Sequence, residues 1–191
     1  MSLLEAGVRL LPLTLGALIG APLAATIVRR AGAGAAVSGG LALAAAGMVA
    51  FSLTLDAPFV ALAFAMAALG AGVGLALTAT SDAIVSAAPP EKAGSASSIS
   101  ETAYELGTGL GIAVLGSVLA ALYTAGLPAG LPGESLAETL AAAPTAAATA
   151  AATAAFDDAL VRTATISAAL LALAAVVTAR MLRRSAAPQP A

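Results

Sequence analysis

A chain of 191 residues with 60% hydrophobic and only 9% charged residues cannot cover itself with a normal water-facing surface, since soluble domains carry about 25% charged residues. Its formal net charge of −2, with no basic stripe to meet phosphates, excludes nucleic acid as a partner class. The absence of Cys and His excludes thiol chemistry, Cys/His metal sites and His-based catalysis; no P-loop or hydrolytic constellation occurs either, so neither an enzyme nor a cofactor or metal is expected.

Five uncharged stretches dominate the chain. They lie between Arg9 and Arg29, Arg30 and Asp56, Asp56 and Asp82, Glu105 and Glu134, and Arg162 and Arg180, with lengths of 19, 25, 25, 28 and 17 residues. A bilayer core needs roughly 20 apolar helical residues. The pattern predicts an all-α polytopic membrane protein with about five transmembrane helices and the lipid bilayer as its solvent.

The first span is expected over about 10–28. Pro12 sits in its first turn, where a missing N–H costs little, and Pro22 is expected to kink it. Gly16 and Gly20 have the small-xxx-small spacing that permits close helix approach. A basic turn follows at Arg29, Arg30 and Gly32. The second span covers about 35–55, and a very short turn at Asp56 and Pro58 leads into the third, about 59–86, where Gly70 and Gly74 repeat the small-xxx-small spacing. Pro89 and Pro90 mark a stop. A long fourth helix is expected over about 95–123, polar in its first half and Gly-rich in its second, with Gly107 and Gly111 as a third packing pair. Residues 124–156 read as an Ala/Pro-rich connection, and the last span as about 159–179. Residues 185–191 form a short tail.

Basic residues set the orientation. Placing Arg29 and Arg30 in the cytoplasm brings Lys92, Arg180, Arg183 and Arg184 there too, six of the eight basic residues. The N-terminus then lies outside, the C-terminus inside, and the 124–156 connection is extracytoplasmic.

Charged groups close to the apolar spans are the candidate functional residues, because an intramembrane carboxylate is costly unless it faces protein or water. Glu101 and Glu105, four residues apart on one helix, share a face. They are candidates for proton or cation handling, with structural bonding to neighbouring helices as the alternative. Tyr104 is a candidate pathway residue or an interfacial aromatic. Asp82, nearer the cytoplasmic surface, suits a gate or a capping interaction.

Two blocks resemble a known family. Gly7-Val-Arg9-Leu-Leu-Pro12, with Gly20-Ala-Pro22-Leu23 leading to Arg29-Arg30-Ala31-Gly32, resembles a helix entrance and cytoplasmic loop motif of the major facilitator superfamily. Pro89-Pro90-Glu91-Lys92-Ala93-Gly94-Ser95-Ala96, followed by Glu101-Thr-Ala-Tyr104-Glu105-Leu-Gly107, resembles the approach to the thirteenth helix of its fourteen-helix drug:proton antiporter group. Residues 1–184 then look like a partial transporter domain from the C-terminal part of such a protein. The resemblance implies proton-coupled efflux of lipophilic or cationic drugs, including quaternary ammonium ions, from a bacterial-type plasma membrane. It also implies that Arg29, Arg30 and Gly32 belong to a cytoplasmic gate. The loop motif lacks the acidic residue of the N-half copy, and the first-half helices are absent. Two halves enclose the path in this fold, so the chain is expected to be inactive alone and to need those N-terminal helices or a partner subunit. The alternative expectation is a non-catalytic helical membrane module associating with another membrane protein.

Overall fold

The computed structural model describes residues 3–131, 133 and 135–185, and among them the regular structure is helical throughout. Its helices are α1 (Leu3–Ala31), α2 (Ala33–Leu53), α3 (Phe59–Ala87), α4 (Ala93–Gly126), α5 (Leu136–Ala142) and α6 (Ala146–Ser185), with a 3-10 turn at Pro90–Lys92 between α3 and α4. Among the described residues, five segments are long and apolar enough to cross a membrane: Gly7–Ala31, Ala33–Leu53, Phe59–Ala87, Pro90–Gly126 and Ala146–Met181.

Each boundary has a local cause. α1 runs through Pro12 and Pro22 as one continuous helix. Its end is set by Gly32, whose backbone at φ 86°, ψ 161° lies in a region open only to glycine. The Gly32 amide donates to the Val28 carbonyl at 2.9 Å, and the Gly32 carbonyl accepts from Ala36 at 3.2 Å, so one residue closes α1 and opens α2. Pro58 precedes α3, and the Pro89-Pro90 pair stops the chain from continuing α3 directly into α4.

α3 is the centre of the packing, with α1 on one side and α2 on the other. Hydrophobic exclusion from water does not drive helix pairing in lipid; close van der Waals contact between thin faces does. A Cβ added at Gly16 or Gly20 would collide with the carbonyls of Ala67 or Ala71. Gly70 and Gly74 stand as tightly against Leu13 and Ala17. Both partners advance along their helices together, so α1 and α3 are parallel. On the other side, Gly40 lies against Ala76 and Gly72, and Gly47 against Leu69, a register that falls on one helix as it rises on the other. α2 and α3 are therefore antiparallel. Ala24, Ala36, Leu75 and Ala79 fill the space where the three helices meet.

α4 is different. Only Tyr123 of its 34 residues is buried. Gly107 and Gly111 have the same spacing as the glycines of α1 and α3, yet a Cβ at either would find nothing within 4 Å. The close packing expected at this pair is thus not made within the described residues. Spacing makes a helix face thin but does not supply the neighbour that covers it.

The 124–156 segment, read as the connection between the fourth and last spans, is mostly helical. α4 continues to Gly126, α5 occupies Leu136–Ala142, and α6 begins at Ala146. The Ala/Thr tract lacks amphipathic contrast, but alanine is the strongest helix former. Thr145 caps the new helix: its Oγ1 accepts from the Ala148 amide at 3.2 Å. Ser135 caps α5 in the same way, accepting from the Glu138 amide at 3.2 Å. α6 spans 40 residues, about 60 Å at the α-helical rise, twice a bilayer core of about 30 Å. Its first turns must project beyond the hydrocarbon. There Asp158 and Arg162 form an exposed i,i+4 ion pair at 2.9 Å. Glu134 and residues 186–191, hence most of the expected tail, lie outside the described residues, as do the side chains of Arg183 and Arg184.

Candidate functional site

A cavity of about 620 Å³ lies where α2, α3, α4 and α6 meet. Its walls are mostly apolar: Val37, Leu41 and Ala44 from α2, Val73, Ala76, Leu77 and Ile84 from α3, and Leu171 from α6. Against them stands a small polar group made of Thr80 and Ser81 from α3 with Ser100, Glu101 and Tyr104 from α4. A mostly apolar cavity with a few convergent polar groups has the general constitution of a small-molecule site.

α4 delivers Glu101 and Tyr104 together because three residues on a helix place side chains on one face. Glu105 shares a face with Glu101 by spacing but is not part of the cavity lining, which takes Ser100, Glu101, Ala103 and Tyr104. The pairing of the two glutamates expected from the sequence therefore does not extend to this cavity. All of residues 101–110 are exposed, so each carboxylate keeps one open side.

Thr80 and Ser81 escaped sequence reasoning. A hydroxyl in an apolar helix usually satisfies itself on its own backbone, and Thr80 does so: its Oγ1 donates to the Ala76 carbonyl at 2.8 Å. Its sequence context does not distinguish it from Thr163 of α6, which bonds to Ala159 at 2.8 Å and is buried. Only the approach of α4 makes Thr80 and Ser81 a cavity wall.

A second, smaller crevice of about 220 Å³ lies between the ends of α1 and α3. Arg29 and Asp82 line it together, with Ala24, Ala25, Val28, Thr78 and Ala79 between them. Both charged side chains are exposed, and no ion pair within 4.0 Å joins them among the described residues. Arg29 instead donates to Thr26 Oγ1 at 3.5 Å. Arg30 is exposed beside it and does not line the crevice. At the opposite ends of the same helices, the Arg9 guanidinium sits 5.8 Å from the Phe59 ring centroid. Among the described residues no cluster of acidic side chains could hold a metal ion.

Apolar helices of membrane-spanning length, four of them meeting at a partly open, mostly apolar cavity, define a multi-pass membrane protein of transporter type. The sequence model of the Major Facilitator Superfamily matches residues 1–112, more than half of the chain, and the chain belongs to that family. The matched segment runs from α1 into α4 and includes Glu101, Tyr104 and Glu105. The tetracenomycin C resistance and export protein of Streptomyces glaucescens is 36% identical over 117 residues, which cover 61% of this chain and 22% of that protein. The methyl viologen resistance protein SmvA of Salmonella typhimurium is 37% identical over 113 residues, 59% of this chain and 23% of the relative. The aligned segment thus spans less than a quarter of the relatives it matches.

Proposed function

We propose that this chain is the C-terminal portion of a proton-coupled exporter of lipophilic or cationic drugs. The observation that carries the reading is the joining of Glu101 and Tyr104 to a mostly apolar cavity, inside the segment similar to resistance and export proteins. An apolar wall accommodates lipophilic solutes, an aromatic ring and a carboxylate attract a cation, and a carboxylate is also the group that exchanges a proton. Glu101 takes the cavity contact. Glu105 lies one turn further along α4, where it serves proton handling from outside the cavity wall. Tyr104 belongs to the solute pathway. Arg29, Arg30, Gly32 and Asp82 form the cytoplasmic gate, with the Arg29–Asp82 crevice as its hinge side and the glycine turn fixing the angle between α1 and α2. Gly107 and Gly111 pack against helices that this chain does not supply.

In this reading the membrane is a bacterial-type plasma membrane, the N-terminal end of α1 is outside, and the Arg29, Lys92 and Arg180 ends are cytoplasmic. That orientation rests on the distribution of basic residues. Residues 1–184 act as one partial transporter domain, residues 124–156 face the outside and residues 185–191 the cytoplasm. Its function requires the remaining helices of a complete transporter, because two halves enclose the transport path in this fold. The test is reconstitution of the chain in proteoliposomes under an imposed pH gradient. No proton-coupled movement of a cationic dye is expected from the chain alone, and robust transport would sink that part of the reading. Transport that is regained on co-reconstitution with the preceding helices supports it.

A further inference from the structure

The cavity of about 620 Å³ between α2, α3, α4 and α6 is long and graded in polarity. Its lining on α3 runs from Val73 to Ile84, about 16 Å at the α-helical rise. One leaflet of a bilayer core about 30 Å thick is about 15 Å deep, so the cavity is as long as a leaflet is deep. Gly72 stands against Ala44 and Gly40 against Ala76 on the antiparallel pair α2 and α3. Ala44 and Val73 therefore share one end of the cavity, and Val37 and Ile84 the other. Thr80 and Ser81 lie toward the second end. Ser100, Glu101 and Tyr104 join them there, because the 88–92 link returns the chain from α3 into the start of α4. α3 ends at Ala87, so this polar mouth lies within a turn or two of the end of the span, and the apolar end lies deeper.

The mouth carries a charge without a countercharge. Among the described residues that line the cavity, Glu101 alone is charged. No hydrogen bond or ion pair among the described residues engages the side chains of Ser81, Ser100, Glu101 or Tyr104. Thr80 Oγ1 donates its hydrogen to the Ala76 carbonyl at 2.8 Å and keeps its lone pairs. The rim thus gathers acceptors around one negative charge. A primary ammonium, with three N–H donors, matches that rim. A quaternary ammonium has no N–H to donate, and an anionic headgroup meets Glu101 as a like charge. The apolar depth works differently. Moving hydrocarbon from the bilayer into an apolar slot gains little from the hydrophobic effect. An empty slot, however, forfeits the dispersion contacts of its walls, which favours filling it. The slot therefore takes a hydrocarbon chain, and Glu101 chooses the headgroup that comes with it.

We propose that the cavity holds one acyl chain of a membrane phospholipid with a primary-ammonium headgroup. The ammonium lies at Glu101, and the chain runs past Leu77 toward Val73 and Ala44. The second chain stays in the bilayer, outside the cavity's open side. The lipid shares its site with the exported solute of the proposed function, but its binding stands on the cavity alone and requires no transport.

The test places the full chain in phosphatidylcholine nanodiscs with a small, equal fraction of a probe lipid. Each probe carries a photoreactive diazirine at the end of one acyl chain and an ethanolamine, choline or glycerol headgroup on its phosphate. Crosslinks are located by mass spectrometry. The ethanolamine probe is expected to label residues 41–44 and 73–77 about tenfold or more above the other two, the ratio given by one charge-assisted hydrogen bond. Leu18 and Ile19, exposed on α1, report ordinary lipid contact and are expected to label equally with all three probes. Glu101→Gln is expected to bring the ethanolamine probe down to the choline level at residues 73–77, with Leu18 and Ile19 unchanged. Leu41→Trp fills the slot and is expected to abolish labelling at residues 73–77 by every probe, again with Leu18 and Ile19 unchanged. Equal labelling of residues 73–77 by the three headgroups, or labelling that Glu101→Gln leaves as it was, would overturn the proposal. So would labelling confined to outward faces such as Leu18 and Ile19. Either failure leaves the export reading to its own proteoliposome test, and an absence of export leaves the crosslinks unexplained by anything but the lipid.

Discussion

Gly40→Ala tests the packing of α2 on α3 with a single methyl group. The new Cβ would lie 2.6 Å from the Ala76 nitrogen, 2.8 Å from the Gly72 carbonyl oxygen and 2.9 Å from the Ala76 Cα. Non-bonded carbon atoms prefer about 3.5–4.0 Å, so the contact with the Ala76 Cα falls short by about 0.6–1.1 Å. All three obstacles are backbone atoms, which cannot rotate away as a side chain would. The helices must separate by about 1 Å along their shared face, and the other thin contacts on that face, Gly47 against Leu69 and Gly72 against Ala44, loosen with it. Overpacking of this kind costs about 1–3 kcal/mol, a factor of roughly 5–160 in the folding equilibrium. Alanine's better helix propensity returns up to about 1 kcal/mol, so with the full propensity gain the net loss is about 0–2 kcal/mol, smallest for the least clash and largest for the greatest. Gly107→Ala supplies the control. It makes the same chemical change with nothing within 4 Å of the new atom, so only the propensity gain remains. Reversible unfolding in mixed detergent micelles, followed by circular dichroism, should rank Gly107→Ala at or above the parent chain and Gly40→Ala below it. Equal stability of the two variants, or the reverse order, would refute the argument that backbone contact at Gly40 holds α2 to α3.

Other consequences follow from single residues. Gly32→Ala should cost about 1–3 kcal/mol in the same unfolding assay, since φ 86° with ψ 161° excludes a side chain; a loss below the error of the measurement would mean that the turn relaxes freely. Arg162→Ala should change stability by no more than about 0.5 kcal/mol, because its partner Asp158 and Arg162 itself are both more than half exposed, at 60% and 62%. In the assembled transporter, Glu101→Gln should reduce proton-coupled dye export more than Asp56→Asn does, since Glu101 lines the cavity and Asp56 lies in the α2–α3 turn; equal export and equal pH dependence would dissociate the cavity from coupling.

Much of the candidate site was visible only as separate residues. Glu101 and Tyr104 could be singled out because a carboxylate and an aromatic at helical spacing stand out against apolar neighbours. Thr80 and Ser81 could not, because a hydroxyl that bonds to its own helix resembles any other. The Tyr123–Thr139 bond links residues sixteen apart across a segment read as a connection. One signal there was legible and passed over: Ser135 three residues before Glu138 is a helix-start signature, and Ser135 does cap α5.

The amino-acid sequence by itself determined the number of apolar spans, the positions of their turns and the family. Charge spacing, proline and glycine act within a few residues of where they stand, so their consequences can be read along the chain. Only the tertiary structure decided which thin faces meet. Gly16 and Gly20 find α3 while Gly107 and Gly111, identically spaced, find no neighbour within 4 Å. Helix pairing in lipid depends on a partner surface at van der Waals distance, and that surface is supplied by a distant part of the chain or by another chain. The same condition turned Glu101, Tyr104, Thr80 and Ser81 from scattered polar residues into one side of a cavity.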